Sequence, residues 1–195
     1  MSNSDLSFRT LVTGADGFIG HHLVTEMAKR GLPANCATRR VKHLQGQRSI
    51  GVGDIGAHTD WSESLENCQA VVHLAGRAHV LNEEKSAHSA FEQVNAEATK
   101  SLVRQAAQRG IKRFLFVSTI AVFDPSLSRL DAQSATTPGT EYGRSKLLAE
   151  QYVRDASADM AHTILRVPLV YGPGVGARFL QLLKLASLPV PLPFG

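Results

Sequence analysis

The chain has 195 residues, of which 43% are hydrophobic and 19% charged, the composition of a globular domain able to bury a sizeable core. Its 21 basic and 17 acidic residues give a mild positive balance without runs of like charge, which argues against a nucleic-acid partner. Two cysteines are too few for a disulfide framework, and neither a secretory leader nor a membrane-length apolar run is evident. We therefore expect a cytoplasmic protein with no membrane partner and no metal site.

Short apolar runs alternate with helical patterns along the chain. Strands are predicted at residues 8–12, 35–38, 49–52, 70–74, 113–117 and 162–166. Helices are predicted at residues 18–30, 87–109 and 142–155, the first two being closed by Gly31 and Gly110. This alternation predicts an α/β fold in which helices cover both faces of a doubly wound parallel sheet.

The final stretch of the sequence differs from the rest. A short helical pattern at residues 177–186 is followed by a proline-rich run with no predicted element behind it. We expect one domain at residues 1–175 and, at residues 176–195, the start of a further C-terminal region that is mostly absent from this chain. A tail docked on the domain surface is the alternative.

The first predicted strand leads into a glycine-rich turn, Thr-Gly-Ala-Asp-Gly-Phe-Ile-Gly, at residues 13–20. Glycines three residues apart let the backbone turn tightly and approach a pyrophosphate, which then lies at the positive N-terminus of the following helix. The strand, turn and helix around Gly14, Gly17 and Gly20 thus predict a dinucleotide-binding loop. A plain tight turn is the alternative.

The residues after the second and third strands bear on the choice of cofactor. The second strand ends in Arg39 and Arg40, where a ribose-binding acid is expected in NAD-binding proteins. Guanidinium groups suit a ribose 2′-phosphate, so NADP is favoured over NAD, unless both arginines are simply solvated. Asp54 and Ile55 follow the third strand and are placed to hold the adenine, although Asp54 also suits a turn cap.

The fourth predicted strand ends at the same edge of the sheet in His73-Leu74-Ala75-Gly76. Small residues at this point allow a dinucleotide to lie close to the backbone, which makes Leu74, Ala75 and Gly76 candidate cofactor-binding residues. His73 itself, within an apolar strand, is expected to be a core histidine.

A candidate acid/base pair follows on the helix predicted at residues 142–155. Tyr142 and Lys146 are four residues apart and therefore share one helix face. A nearby ammonium is expected to lower the pKa of the tyrosine from about 10 toward neutrality, which suits proton transfer. Ser118 and Thr119 end the strand before it and offer a hydroxyl for a substrate oxygen, although alone Thr119 is better read as an ordinary strand-end residue.

These motifs occur in an order that resembles the extended short-chain dehydrogenase/reductases, and within them the NAD(P)-dependent nucleotide-sugar epimerase/dehydratase family. Over residues 8–178 the resemblance rests on Thr-Gly-x-x-Gly-x-x-Gly, His-Leu-Ala-Gly, Ser-Thr, Tyr-x-x-x-Lys and, at residues 166–174, Arg-Val-Pro-Leu-Val-Tyr-Gly-Pro-Gly. The resemblance implies a Rossmann-type domain followed by a smaller C-terminal domain that binds a nucleoside-diphosphate sugar.

The resemblance also implies roles for individual residues. The three glycines would form the pyrophosphate loop with the backbone amides of Phe18 and Ile19. Tyr142 would be the catalytic acid/base and Lys146 would bind the nicotinamide ribose. The residues implied to lie near the substrate or the nicotinamide are Thr119, Asn95, Val167 and Pro168. Two positions depart from the family pattern, Leu169 in place of a substrate-contacting Asn and Thr38 in place of the ribose-binding acid.

Dehydratases of the family carry Asp-Glu directly after the catalytic Thr, whereas this chain has Ile120 and Ala121, so dehydration is disfavoured. The resemblance favours a UDP-glucose 4-epimerase-like enzyme that acts at the sugar C4 by transient hydride transfer. An NADPH-dependent 4-keto nucleotide-sugar reductase is the first alternative, and the arginines after the second strand favour it. A non-catalytic NADP-binding regulator and an inactive cofactor-binding fragment are further alternatives.

A homodimer formed through a four-helix bundle of helices 87–109 and 142–155 is also expected, unless their apolar faces belong to the core.

Overall fold

Six strands and the helices between them form the part of the chain that the computed structural model describes, which is residues 8–78, 86–156, 160–175 and 187. The strands are β1 (Arg9–Thr13), β2 (Ala34–Thr38), β3 (Arg48–Gly51), β4 (Cys68–His73), β5 (Arg113–Thr119) and β6 (Ala161–Val167). The helices are α1 (Phe18–Lys29), α2 (Ser86–Phe91), α3 (Ala98–Gln108) and α4 (Glu141–Asp155). A π-helical segment (Glu92–Glu97) joins α2 to α3, and a 3₁₀ turn (Ile120–Val122) follows β5.

All six strands are parallel and lie in the order β3-β2-β1-β4-β5-β6. The order reverses between β1 and β4, and in open sheets of this kind ligands bind in the crevice at the carboxyl ends of the strands on either side of that point. The predicted α/β doubly wound Rossmann-type fold is therefore confirmed.

The predicted elements are present, with ends that move by one or two residues. The main correction concerns the helix predicted at residues 87–109, which the π-helical segment divides into α2 and α3. Gly31 and Gly110 do follow the ends of α1 and α3, and both have positive φ angles, 66° and 71°. The helical pattern at residues 177–186 lies outside the described residues.

Hydrophobic side chains pack on both faces of the sheet, because successive residues of a strand point to opposite sides. On one face, Leu11 of β1 belongs to a buried cluster with residues of α3 and α4, including Leu102 and Ala149. On the other face, Val12 belongs to a cluster with Val24 of α1. In the described part of the chain, no helix is long and apolar enough to cross a membrane.

A buried ionic cluster joins α4 to the ends of β5 and β6. The carboxylate of Glu150 is completely buried and accepts hydrogen bonds from Ser118 at 2.6 Å, from Arg154 at 2.8 Å and from Arg166 at 2.7 Å. Burial raises the pKa of Glu150, but the hydrogen bonds from Arg166, Ser118 and Arg154 outweigh it and hold the pKa below its ordinary value of 4.5. The Ser118 hydroxyl therefore donates its hydrogen bond to Glu150 within the fold and does not face a substrate.

We predict that Glu150→Gln lowers the free energy of unfolding by about 3 kcal/mol at pH 7, because it leaves the guanidinium of Arg166 without its counter-charge. The depressed pKa of Glu150 implies a contribution that is present above pH 4.5 and is lost as the pH falls through the folded-state value. Urea unfolding at pH 7 and pH 4 checks both statements, and the variant should lose less stability on acidification than the wild type. Glu26→Gln, which removes an exposed pair with Arg30, is the control and should change stability little.

Candidate active site

A groove of about 1070 Å³ opens where the strand order reverses, at the carboxyl ends of β1, β2 and β4. Small-molecule sites usually have volumes of about 300–1,000 Å³, so the groove is large enough for an extended ligand. Nine of the residues predicted to bind the cofactor line it: Gly14, Gly17, Arg39, Arg40, Asp54, Ile55, Leu74, Ala75 and Gly76. The other residues predicted to bind the cofactor are not among those that line it: Phe18, Ile19, Gly20, Asn95, Tyr142, Lys146 and Val167.

The glycine loop packs too closely for side chains. Gly14 has a φ of 64°, and a Cβ there would lie 2.8 Å from the backbone nitrogen of Ala75. A Cβ at Gly20 would lie 2.1 Å from the carbonyl oxygen of Gly14. Helix α1 begins directly after Gly17, so Phe18, Ile19 and Gly20 form its first turn, whose N–H groups lack intrahelical partners. A phosphate group bound here would accept hydrogen bonds from these amides.

Two ion pairs border the groove. The guanidinium of Arg39 lies 2.8 Å from the carboxylate of Asp54, and Nζ of Lys42 lies 2.5 Å from the carboxylate of Asp16. Asp16 and Lys42 also line the groove and were missed in the sequence, since residues 26 positions apart give no local signal. The pairs are solvent-exposed and therefore weak, so a bound anion can compete for either cation.

The candidate acid/base residues lie where α4 passes the end of β5. Tyr142 lies in the first turn of α4, and the Thr119 side chain is near enough to its phenol to lower its pKa. Gly143 allows this approach, because a Cβ there would lie 2.3 Å from the carbonyl oxygen of Ala121. Gly143 stands inside the Tyr-x-x-x-Lys motif, and sequence reasoning gave it no role. The predicted triad of Thr119, Tyr142 and Lys146 is thus gathered at the end of β5.

The pKa expectation for Tyr142 is wrong for this structure. Burial raises the pKa of Tyr142, and the Thr119 side chain only partly opposes that effect. Lys146 is buried too, which lowers its own pKa to about 7, although the Glu150 carboxylate opposes this. Its Nζ lies 4.0 Å from the ring centroid of Phe116. The ammonium is therefore packed on an aromatic face.

Asn95 links the two halves of the site from the buried side of the π-helical segment. Its side-chain oxygen accepts from the backbone N–H of Arg77 at 2.7 Å, and its amide donates to the Ser145 hydroxyl at 3.0 Å. A Cβ at Gly76 would lie 3.0 Å from this oxygen and 3.9 Å from Nζ of Lys146. Asn95 thus holds the groove residue Gly76 beside the acid/base helix.

His73 belongs to a buried chain of hydrogen bonds, which agrees with its predicted place in the core. Thr13 Oγ1 accepts from the amides of Leu74 and Ala75, so its hydroxyl donates to Nδ1 of His73 at 2.6 Å. Nε2 of His73 then donates to Thr99 Oγ1 at 2.9 Å, and Thr99 donates to the Asn95 carbonyl at 2.6 Å. Burial, followed by the charge of Lys146, lowers the pKa of His73 to about 3 and keeps the ring neutral.

Val167 lies beside the acid/base residues and does not line the groove. It ends β6 and is paired in the sheet with Thr119 of β5. Leu169 follows shortly after and is exposed. Among the described residues, no group of three or more histidines, cysteines or acids is placed to hold a metal ion.

We predict that Thr99→Val destabilises the protein by about 1–3 kcal/mol, because it leaves the buried Nε2–H of His73 without an acceptor. Urea unfolding of the variant measures this loss. The matched control is Thr25→Val, since the buried Thr25 hydroxyl has no hydrogen-bond partner among the described residues and its replacement should be neutral or stabilising. Equal effects of the two substitutions would contradict a contribution from the chain of hydrogen bonds.

Comparisons with known proteins identify relatives of this chain. UDP-glucose 4-epimerase of Vibrio cholerae is 36% identical over 95% of this chain and 58% of its own length. Ceramide reductase of Caulobacter vibrioides is 31% identical over 93% of this chain and 52% of its own length. The solved structure of MoeE5 in complex with UDP-glucuronic acid and NAD is 32% identical, with a TM-score of 0.75 over 85% of this chain and 56% of that one.

The chain spans a little over half the length of these relatives. UDP-N-acetylglucosamine 4-epimerase of Bacillus cereus, at 22% identity and a TM-score of 0.77, shares the fold. The family model described as NAD dependent epimerase/dehydratase family matches residues 10–186. The resemblance expected from the motifs is therefore confirmed, and the chain belongs to the NAD dependent epimerase/dehydratase family.

Proposed function

We propose that the chain carries the cofactor-binding and acid/base half of a nucleotide-sugar 4-epimerase. The observation that carries the proposal is the placement of Tyr142, whose pKa the Thr119 side chain affects, one helical turn from Lys146. Nζ of Lys146 in turn lies 3.9 Å from where a Cβ at the groove residue Gly76 would be. The Vibrio cholerae relative is a UDP-glucose 4-epimerase, and MoeE5 binds a UDP-sugar together with NAD. Residues 176–195 would begin the region that completes the sugar site.

The groove fits a nicotinamide dinucleotide. Gly14 and Gly20 leave no room for a Cβ, so the loop backbone can approach a pyrophosphate held by the amides of Phe18 and Ile19. Asp54 and Ile55 would enclose the adenine. The small residues after β4 would lie beneath the ribose and pyrophosphate of the ligand; they are Leu74, Ala75 and Gly76. Val167 would face the nicotinamide. When bound, the dinucleotide supplies the acceptor and the donor for hydride.

The residues of the chain supply the proton chemistry. Thr119 orients the sugar 4-hydroxyl, and Tyr142 takes its proton and later returns one. The raised pKa of Tyr142 means that its phenol is protonated at neutral pH without ligands, so an additional positive charge is needed for it to act as a base. Lys146 lies on the next helical turn, but with its pKa lowered to about 7 it is only about half charged at neutral pH, so the rest of that positive charge would come with the bound, oxidised dinucleotide.

The residues after Thr119 argue against dehydration. Ile120 and Ala121 form the start of the 3₁₀ turn, directly beside Thr119, and neither side chain can transfer a proton. Elimination of water needs an additional acid and base, so oxidation and re-reduction at C4 is the chemistry that these side chains support.

A 4-keto nucleotide-sugar reductase that uses NADPH is the second candidate. It is favoured by the end of β2, where Thr38 replaces a ribose-binding acid and donates to the Arg40 carbonyl at 2.6 Å. Arg39, Arg40 and Lys42 then border the groove, a cationic wall that suits a 2′-phosphate. A non-catalytic NADP-binding regulator and an inactive cofactor-binding fragment lack a supporting observation of this kind.

A homodimer built on α3 and α4 is part of the proposal. The apolar faces of these helices, with Leu102 and Val153 among their residues, are packed in the core, as the alternative interpretation expected. A four-helix bundle would therefore use their outward surface, where Tyr152 donates to Glu97 and Lys100 lies over the Tyr152 ring.

We predict that the protein binds NADPH more tightly than NADH, and that Arg40→Ala weakens NADPH binding at least about tenfold while leaving NADH binding unchanged. The physical reason is the loss of charge-assisted hydrogen bonds to the 2′-phosphate. Titrations followed by nicotinamide fluorescence measure both affinities. Arg30→Ala, on the far end of α1, is the control, and equal affinities for the two cofactors in the wild type would remove the argument for NADP and for the reductase.

We predict that Tyr142→Phe lowers the interconversion of UDP-glucose and UDP-galactose by at least about 100-fold, because the acid/base hydroxyl is removed. Cofactor affinity should remain within about twofold of the wild type. Tyr152→Phe on the same helix is the matched control, since its hydroxyl only reaches Glu97 on the outer surface. A wild-type chain that binds cofactor without turning over the sugar would instead favour the cofactor-binding fragment.

A further inference from the structure

The residues after β6 run back across the sheet to α1. The carbonyl oxygen of Pro173 accepts a hydrogen bond from Nε2 of His22 at 2.9 Å. A Cβ at Gly172 would lie 3.8 Å from the Phe18 ring, an ordinary contact distance. His22 and Phe18 also contact each other edge to face, with ring centroids 5.2 Å apart. The first turns of α1 therefore hold residues 171–174, which we call the returning segment.

The path of the returning segment is constrained by the strand order. β6 and β1 are three positions apart in the sheet, which at about 4.8 Å per strand is a distance of about 14 Å. Residues 168–172 can span about 16 Å when extended. The chain therefore has little slack between the end of β6 and its contacts with α1, the helix that follows the glycine loop.

A turn presents the Pro173 carbonyl to His22. The backbone N–H of Val175 donates to the Gly172 carbonyl at 3.0 Å, and Gly174 between them has a φ of 79°, a left-handed conformation that favours glycine. This hydrogen bond closes the turn over residues 172–175. The carbonyl oxygen of Pro173, inside the turn, accepts the hydrogen bond from Nε2 of His22. Neither histidine of α1 had a role in the sequence reasoning.

We propose that His22 is a positioning residue that, together with Phe18, fixes the returning segment as the wall of the nicotinamide half of the site. The proposal rests on the proposed function, in which the chain after Val167 passes the nicotinamide. The adenosine half of the cofactor would lie in the groove, whose lining does not include His22. Loss of the His22 hydrogen bond should therefore weaken binding of the nicotinamide half of the cofactor and leave binding of the adenosine half unchanged.

The test compares NADH with ADP-ribose, which lacks only the nicotinamide. We expect His22→Ala to weaken NADH binding by about three- to tenfold, the size of one hydrogen bond, and to leave ADP-ribose binding unchanged. His22→Gln, which retains an N–H donor, should restore NADH affinity. His21→Ala is the matched control, because His21 is exposed on the same turn and its imidazole is hydrogen-bonded to none of the described residues.

A second measurement needs no cofactor. In ligand-free protein, His22→Ala should speed hydrogen exchange at the Val175 amide, whereas His21→Ala should not. An equal loss of NADH and ADP-ribose affinity in His22→Ala, or no loss of either, would overturn the positioning role and leave the proposed function standing. A wild-type chain that binds neither ligand would overturn both.

Discussion

The contact between the glycine loop and the end of β4 determines how the rest of the site is arranged. Gly14 follows β1 and approaches the backbone of Ala75 so closely that any Cβ would collide. The contact lies just beyond the paired carboxyl ends of β1 and β4, where Thr13 is opposite His73 and the strand order reverses. Gly14 and Ala75 both line the groove, so this close contact determines how the chain after β4 runs along its floor.

A chain of buried polar groups connects the glycine loop to the candidate acid/base residues. Thr13 immediately precedes the loop, and its hydroxyl begins the chain through His73 and Thr99 to the Asn95 carbonyl. The Asn95 side chain continues to Ser145, which lies between Tyr142 and Lys146 on α4. Every donor in this chain has an acceptor, and buried networks of that kind rigidify a core. We therefore expect the glycine loop and the candidate acid/base residues to be held as parts of one rigid unit.

Much of this site could be predicted because its signals are local in sequence. The glycine spacing, the four-residue separation of Tyr142 and Lys146 and the alternation of strands and helices each lie within a few turns of chain. The pKa of Tyr142 and the ionic cluster of Glu150 could not be predicted, because both depend on residues brought together from different elements. Burial, which propensity and spacing do not report, reversed the expected direction of the tyrosine pKa.

The π-helical segment sets the phase between α2 and α3. An α-helix turns by about 100° per residue, so removing one residue from Glu92–Glu97 would rotate α2 relative to α3 by about that angle. Phe91, whose ring centroid lies 6.0 Å from that of Tyr142, would then swing away from it while Thr99 kept its place beside His73. The wide π-helical turn thus lets one continuous run of helix place Phe91 against Tyr142 and Thr99 against His73 at the same time. These two contacts fix the number of residues in the π-helical segment.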